Sequence, residues 1–131
     1  PPPLTLALLH RIGTTAIQLA SAMGAKPIIA TAGTDEKCNA CLALGATLAI
    51  NYRERDYASA IKEHCGGGGV DVVLDMVGGD YLQRNLSVLN KRGRHVSIAF
   101  LSGSKSPEPF DFGTAPKQFS LTRCCTHTRT Q

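Results

Sequence analysis

Residues 70–79 read VDVVLDMVGG, an apolar run that ends at an acidic residue and leads into two glycines. Residues 70–74 have the length and the valine content of a buried strand. Residues 75–79 then form a turn, and residues 80–89 return to the spacing of a helix. A buried strand followed directly by a turn and a helix is the repeating unit of a parallel sheet. This stretch therefore predicts an α/β fold.

The same alternation continues in both directions from this stretch. The predicted strands are residues 4–9, 27–31, 47–51, 70–74, 94–100 and 119–122, and helices are predicted from Thr14 onward, over 33–44, over 56–64 and over 80–89. Long connections of this kind are nearly always right-handed crossovers. The pattern predicts a doubly wound parallel sheet of the Rossmann type. It leaves open whether the sheet is complete at the first strand, which follows three prolines, and at the C-terminal edge.

Composition excludes several classes of protein. The chain has 131 residues, the size of one domain, with 43% hydrophobic and 18% charged residues, so it is not a disordered tail. No apolar run approaches the ~20 residues of a membrane span. Aromatic residues are only 5%, Trp is absent, and the net charge of +4 is not concentrated on one element. We therefore expect no nucleic-acid partner and no membrane partner.

The cysteines do not form a disulfide framework or a metal site. There are five, an odd number, and Cys38 and Cys41 form a C-x-x-C inside a predicted helix with no second pair at zinc-ribbon spacing. We expect them to be ordinary cysteines of a helix. The histidines are scattered, so no metal ligand is predicted. Residues 1–9 lack the basic start of a signal peptide, and the expected compartment is the cytoplasm.

The first loop after a strand is the candidate pyrophosphate site. In open α/β sheets, ligands bind beyond the carboxyl ends of the strands, and a helix N-terminus attracts phosphate. Residues 10–15 read HRIGTT, so Gly13 is present but the G-x-G-x-x-G pattern is absent. Gly13 is therefore interpreted either as a phosphate-binding position or only as a helix start.

The second and third loops suggest which dinucleotide fits. NAD-binding domains usually place an acid at the end of the second strand, whereas residues 31–34 here read TAGT. The 2′-phosphate of NADP would not be repelled there, and Thr34 and Lys37 would bind it. The alternative is that Thr34 is simply the N-cap of a helix and Lys37 is solvated. Tyr52 and Arg53 follow the third strand, where Tyr52 either contacts the adenine or the phosphate or is an ordinary strand-end tyrosine.

Four segments carry a resemblance to a known family: GTTAIQLASAMGAKPIIATAGTDEKC, LGATLAINYRERD, GVDVVLDMVGGDYLQRNLSVLNKRGRHVSIAF and KQFSLT. They closely resemble the zinc-independent quinone oxidoreductase branch of the medium-chain dehydrogenase/reductase family, over about residues 12–122. The resemblance implies that residues 1–131 are one Rossmann domain that binds NADPH, in an enzyme that transfers hydride to a quinone or similar acceptor.

The resemblance also implies a set of cofactor-binding residues. Gly33, Thr34, Lys37 and Tyr52 would hold the 2′-phosphate end, Val77 would line the cofactor cleft, and Phe100 would lie near the nicotinamide. The complete predicted set is Ile12, Gly13, Gly33, Thr34, Lys37, Tyr52, Val77 and Phe100. No catalytic residue is predicted in this chain, and Asp75 is interpreted as structural.

Both ends depart from the family pattern. Arg11 stands where the family has a glycine, and it would either block the pyrophosphate or supply charge to it. We expect residues 1–11 and 123–131 to be out of register with the family, as in a truncated or frameshifted piece that lacks the catalytic domain. The alternative function is a non-catalytic nucleotide-binding or self-associating module, which would form a homodimer through its C-terminal edge strand.

Overall fold

The structure is a computed structural model that describes residues 4–7, 11–103, 105, 109 and 119–123. The strands within this part of the chain are β1 (Leu4–Ala7), β2 (Ile28–Ala32), β3 (Leu48–Asn51), β4 (Val70–Asp75), β5 (Leu89–Ser97) and β6 (Phe119–Arg123). The helices are α1 (Arg11–Ala22), α2 (Asp35–Ala43), α3 (Tyr57–His64) and α4 (Tyr81–Ser87). None of these helices is long and apolar enough to cross a bilayer.

The six strands form one parallel sheet in the order β3-β2-β1-β4-β5-β6. The predicted fold class is confirmed. β1 lies in the interior of the sheet between β2 and β4, and β6 pairs with β5 at the edge, so both strands whose presence was left open are formed. The strand order reverses between β1 and β4, which is where a doubly wound sheet opens a crevice for a ligand.

Each face of the sheet carries its own core. Ile28 of β2 belongs to a buried cluster with Ile17 of α1 and Cys41 of α2. The next residue, Ile29, belongs to a second cluster with Ile61 of α3. Neighbouring residues of a strand point to opposite faces, so α1 and α2 cover one face of the sheet while α3 and α4 cover the other. This arrangement leaves the carboxyl ends of the strands open to a ligand.

The C-x-x-C pair lies on a helix, as predicted, and the structure places both cysteines in the core. Cys38 and Cys41 are 7% and 6% exposed on α2, and both are free. Burial raises the pKa of each thiol, which disfavours the reactive thiolate. No group of three His, Cys, Asp or Glu side chains within the described ranges is placed to hold a metal ion.

The helix α1 begins earlier than predicted. It starts at Arg11 rather than near Thr14, so Gly13 lies within its first turn. Ile12, Ala16 and Leu19 lie along one side of this helix, where they line a common groove. The helix α2 follows its N-cap Thr34 and ends before Gly45, close to the prediction.

The boundary between α4 and β5 was predicted wrongly. Residues 88–93 were assigned to the end of a helix and a loop, but α4 ends at Ser87 and β5 already begins at Leu89. Leu89 pairs with Val70, and the Val70 amide donates to the carbonyl of Val88 at 2.8 Å. Pairing with β4 therefore overrides the local helical spacing. Phe100, predicted as the last strand residue, lies beyond the end of β5.

Candidate cofactor-binding site

The predicted cofactor residues lie along one edge of the sheet. Because all six strands are parallel, the segments that follow β1 to β5 emerge at the same edge. Those segments contain every member of the predicted set, which is Ile12 and Gly13, Gly33, Thr34 and Lys37, Tyr52, Val77, and Phe100. The topology therefore brings together residues that are far apart in the sequence.

The segments after β2 and β3 meet at Gly33. A Cβ atom added to Gly33 would lie 2.8 Å from the Tyr52 hydroxyl oxygen and 3.5 Å from Nε of Arg53. The absence of a side chain at Gly33 therefore lets the Tyr52 phenol and the Arg53 guanidinium approach the backbone at the end of β2. This close approach places a hydroxyl and a positive charge where the sequence lacks the usual acid.

Thr34 performs the capping role that was its alternative interpretation. Its hydroxyl accepts a hydrogen bond from the Lys37 amide at 3.3 Å, while the Lys37 side chain is exposed. Asp35, in the first turn of α2, accepts through Oδ1 from the side-chain Nδ2 of Asn51 at 2.9 Å. That bond ties the start of α2 to the end of β3 and holds the loops after β2 and β3 in a fixed relation.

The start of α1 contributes a buried glycine beside an apolar groove. Gly13 is buried, whereas Ile12 is 53% exposed. Ile12 is one wall of a groove of about 450 Å³, whose lining residues are Ile12, Thr15, Ala16, Leu19, Leu74 and Ile98. The first turn of a helix generally presents N–H groups that attract anions. The prediction that Arg11 either blocks the pyrophosphate or supplies charge to it depends on residues 8–10 and on the Arg11 side chain. These lie outside the part of the chain that the structure describes.

Asp75 organises the turn after β4. Its Oδ1 accepts from the amides of Val77 at 2.8 Å and Gly78 at 3.1 Å, as expected for a structural acid. Burial by itself would raise the pKa of Asp75, but the polar contact with His95 and these two amide bonds outweigh it and lower the pKa. The carboxylate is therefore ionised while 1% exposed, and the turn is built around a buried charge.

The turn after β4 is bonded to the segment after β5. The Ser102 amide donates to the Val77 carbonyl at 2.8 Å, and the Gly79 amide donates to the Gly103 carbonyl at 2.9 Å. Val77 is only 9% exposed, so its side chain offers little surface to a ligand. The Phe100 ring is half-buried, and the Arg123 guanidinium of β6 lies 5.2 Å from its centroid. The predicted positions Val77 and Phe100 thus lie in two segments that are hydrogen-bonded to each other.

A buried polar cluster behind this turn was not found by sequence reasoning. His95 is fully buried, and its Nε2 lies 3.3 Å from Oδ2 of Asp75 and 3.3 Å from Nδ2 of Asn85. Asn85 in turn accepts from the Tyr57 hydroxyl at 2.8 Å. Burial raises the pKa of Tyr57, which keeps its hydroxyl protonated as a donor. The sequence shows His95 only as one of several scattered histidines, because its partners Asp75 and Asn85 lie on other elements.

The strand order, the two helical layers and the switch point together define a Rossmann-type nucleotide-binding domain. The profile of the zinc-binding dehydrogenase family matches residues 12–130, and the chain belongs to that family. Within the family it is the cofactor-binding domain, and the resemblance to the quinone oxidoreductases is confirmed.

Three curated relatives illustrate the relationship. Quinone oxidoreductase 1 of Escherichia coli is 45% identical over 93 residues, which are 71% of this chain and 28% of that protein. The human quinone oxidoreductase is 37% identical over 87 residues, or 66% of this chain and 26% of that protein. A 2-haloacrylate reductase from a Burkholderia species is 40% identical over 80 residues, or 61% and 24%. The chain therefore spans less than a third of the length of these relatives.

Solved structures show the same fold. A 2-haloacrylate reductase superposes with a TM-score of 0.85 at 32% identity, covering 95% of this chain and 39% of that one. The Escherichia coli quinone oxidoreductase, solved as a complex with NADPH, gives a TM-score of 0.80 at 36% identity with the same coverage. The likeness extends over almost the whole of this chain and over one part of each neighbour.

Proposed function

We propose that this chain binds NADPH at the carboxyl edge of its sheet and serves an oxidoreductase that passes hydride to a quinone-like acceptor. The observation that supports this proposal is the end of β2, where Tyr52 and Arg53 approach a glycine and no acid follows the strand directly. A hydroxyl and a guanidinium suit a phosphate, since both donate hydrogen bonds to its oxygens. A similar structure, the Escherichia coli quinone oxidoreductase solved with NADPH, supports the choice of cofactor.

The charges around this position favour the 2′-phosphate of NADPH over the free ribose of NADH. Arg53 supplies positive charge next to Gly33, and the exposed Lys37 supplies a second positive charge from the start of α2. Acids also lie close to them in sequence, since Glu36 adjoins Lys37 and Glu54 adjoins Arg53. Asp35 is bonded to the Asn51 side chain, and both Asp35 and Glu36 lie in the first turn of α2, where the helix dipole stabilises them. We therefore assign the adenosine 2′-phosphate to Gly33, Thr34, Lys37 and Tyr52, with Arg53 as an additional donor.

The remaining predicted residues fall into two roles. Ile12 and Gly13, at the N-terminus of α1, are proposed to receive the pyrophosphate, because the first-turn amides of a helix attract anions. Val77 and Phe100 belong to the bonded unit after β4 and β5 and are proposed to orient the nicotinamide end. When bound, NADPH supplies the hydride. Asp75 and His95 are too deeply buried to transfer a proton to a substrate. The proposed role of the cofactor-binding residues is therefore to hold and orient NADPH.

The acceptor and the other wall of the active site are proposed to come from a further domain. The chain covers 39% of the Escherichia coli quinone oxidoreductase structure, so most of a comparable enzyme lies beyond these residues. A hydride donor must be held against its acceptor, and positioning accounts for much of the rate of such reactions. We expect this chain alone to bind NADPH but to reduce quinones very slowly.

Lys37→Ala is expected to weaken NADPH binding about tenfold while leaving NADH binding nearly unchanged, because an ion pair with the 2′-phosphate exists only for NADPH. Isothermal titration calorimetry with both dinucleotides measures the two affinities. Lys62→Ala is the matched control, since Lys62 is also exposed but lies on α3, which covers the opposite face from α2. An equal loss for NADPH and NADH would contradict the assignment of Lys37.

A second candidate function is self-association through β6. Residues 120–123 are exposed, β6 pairs with β5 on one side, and Leu121 is 57% exposed. An edge strand with an exposed apolar side chain is a template for pairing with a second copy of the chain. The proposed partner is therefore another copy of the same domain, in addition to the nucleotide.

Leu121→Lys is expected to shift this dimer toward the monomer by roughly tenfold in dissociation constant, because charged side chains on an edge strand disfavour edge-to-edge pairing. Sedimentation equilibrium measures the effect. Leu42→Lys is the control, since Leu42 is 44% exposed on α2, away from β6. A wild-type chain that is monomeric at high concentration would remove this candidate.

A further inference from the structure

The buried cluster of His95, Asp75, Asn85 and Tyr57 connects the interior of the domain to the turn after β4. Asp75 faces two ways, with Oδ1 toward the amides of Val77 and Gly78 and Oδ2 toward Nε2 of His95. The turn can keep its shape only while this carboxylate keeps its orientation. A contact that fixes the position of Oδ2 therefore also fixes Oδ1 and the Val77 and Gly78 amides bonded to it.

Oδ2 has no hydrogen bond of normal geometry among the described residues, although it lies 3.3 Å from His95 Nε2. A carboxylate oxygen that is buried without a donor is costly, since it has lost water and gained nothing in return. The imidazole at 3.3 Å is placed to provide the missing proton. An imidazole orientation that directs an N–H group at Oδ2 would supply the missing donor.

The partners of His95 decide which of its nitrogens carries that proton. Nε2 holds either one hydrogen or one lone pair, so it cannot donate to Asp75 and also accept from Nδ2 of Asn85. A buried charge gains more from a donor than a neutral amide gains from an acceptor. Nε2 therefore carries a hydrogen directed at Asp75.

The rest of the cluster accommodates this choice. With Nε2 protonated, the Asn85 amide is turned over relative to the orientation described above, so that Oδ1 faces His95 and Nδ2 donates to the Tyr57 oxygen, which then accepts rather than donates. On the other side of the ring, the Ser97 hydroxyl lies 3.5 Å from Nδ1 and either donates to it or accepts from it.

We propose that His95 is a positioning residue for the cofactor-binding turn: its Nε2–H fixes the Asp75 carboxylate, and the carboxylate holds the Val77 and Gly78 amides in place. The expected effect of His95 on NADPH binding rests on the proposed function, whereas its effect on the turn does not require a bound cofactor. The role is one of orientation, since His95 is fully buried and does not reach the surface.

The tautomer can be measured in the wild-type chain without any substitution. Two-dimensional NMR spectra that correlate the imidazole nitrogens and protons are expected to show His95 protonated at Nε2 near neutral pH. A His95 ring with an unprotonated Nε2 would overturn the proposal. This measurement remains decisive even if a substitution at His95 prevents folding.

Two variants then test the effect on the turn. His95→Leu keeps volume but removes the donor, and we expect amide hydrogen exchange at Val77 and Gly78 to become at least about tenfold faster, as for the loss of one hydrogen bond to a charged group. His95→Gln, whose side-chain amide reaches about as far as Nε2, is expected to restore most of the protection. Gly79 is the internal control, because its amide is bonded to Gly103 rather than to Asp75.

Affinity for NADPH separates this inference from the proposed function. We expect His95→Leu to weaken NADPH binding about tenfold and His95→Gln to recover it. Unchanged exchange at Val77 and Gly78 in His95→Leu would overturn the positioning role. If exchange changes as expected while the wild-type chain does not bind NADPH, the positioning of the turn stands and the proposed function fails.

Discussion

Gly78→Ala is expected to destabilise the domain by about 3 kcal/mol, through an unfavourable backbone conformation and an overpacked contact. Gly78 has a φ of +67°, and an added Cβ atom would lie 2.6 Å from the Gly103 carbonyl oxygen and 2.8 Å from Cδ1 of Phe100. The methyl group would push apart the segments after β4 and β5. Urea unfolding followed by circular dichroism measures the loss, and NADPH affinity is expected to fall with it.

Gly66→Ala is the matched control for this substitution. Gly66 has a φ of +62°, close to that of Gly78, but an added Cβ atom would meet nothing within 4 Å. It should therefore show only the cost of a left-handed backbone, about 1 kcal/mol. Equal losses in the two variants would show that the contact between the two segments is unimportant.

Asp75→Ala is the second substitution with a large expected effect, a loss of about 3 kcal/mol in the free energy of unfolding at neutral pH. It removes the acceptor of the Val77 and Gly78 amides and leaves the fully buried His95 without its anionic partner. Asp71→Ala is the control, since Asp71 lies in the same strand, is half-buried and accepts from Asn90. That variant is expected to lose about 1 kcal/mol, the usual value of one hydrogen bond.

The same carboxylate gives the domain a defined response to acid. The pKa of Asp75 is lower in the folded chain than in the unfolded chain, so its ionised form stabilises the fold. This contribution is complete above about pH 4, the usual pKa of an aspartate, and is lost as the pH falls through the lower folded value. Asp75→Asn is expected to reduce the slope of stability against pH in that window. An unchanged slope would contradict the assignment of an ionised Asp75.

The interior strands β2 and β4 were predictable from their local sequences. The runs at Ile28–Ala32 and Val70–Asp75 are apolar because both of their faces are covered by helices, and local composition records this directly. The position of the candidate site followed from the same pattern, since parallel strands bring their carboxyl ends to one edge. The residues near Gly33 were therefore identified without a structure.

The start of β5 and the cluster around His95 were not predictable, because they depend on register between strands. Leu89 joins β5 through its pairing with Val70, which local helical spacing does not reveal. His95 pairs with Val73, and this register aligns Ser97 with Asp75 and brings His95 close to the Asp75 carboxylate. The close approach of Tyr52 to Gly33 is likewise a contact between two loops. Such contacts are specified by tertiary packing rather than by local pattern.

The most direct test of NADPH binding at the carboxyl edge is an NMR titration of the nitrogen-15-labelled chain with NADPH, read against NADH. We predict saturable amide shifts in the first turn of α1, around Gly33 and Lys37, at Tyr52 and in the turn at Val77 and Gly78. We predict that these shifts saturate at a lower concentration of NADPH than of NADH. Spectra that do not change at millimolar NADPH, or shifts confined to residues away from this edge, would contradict the account.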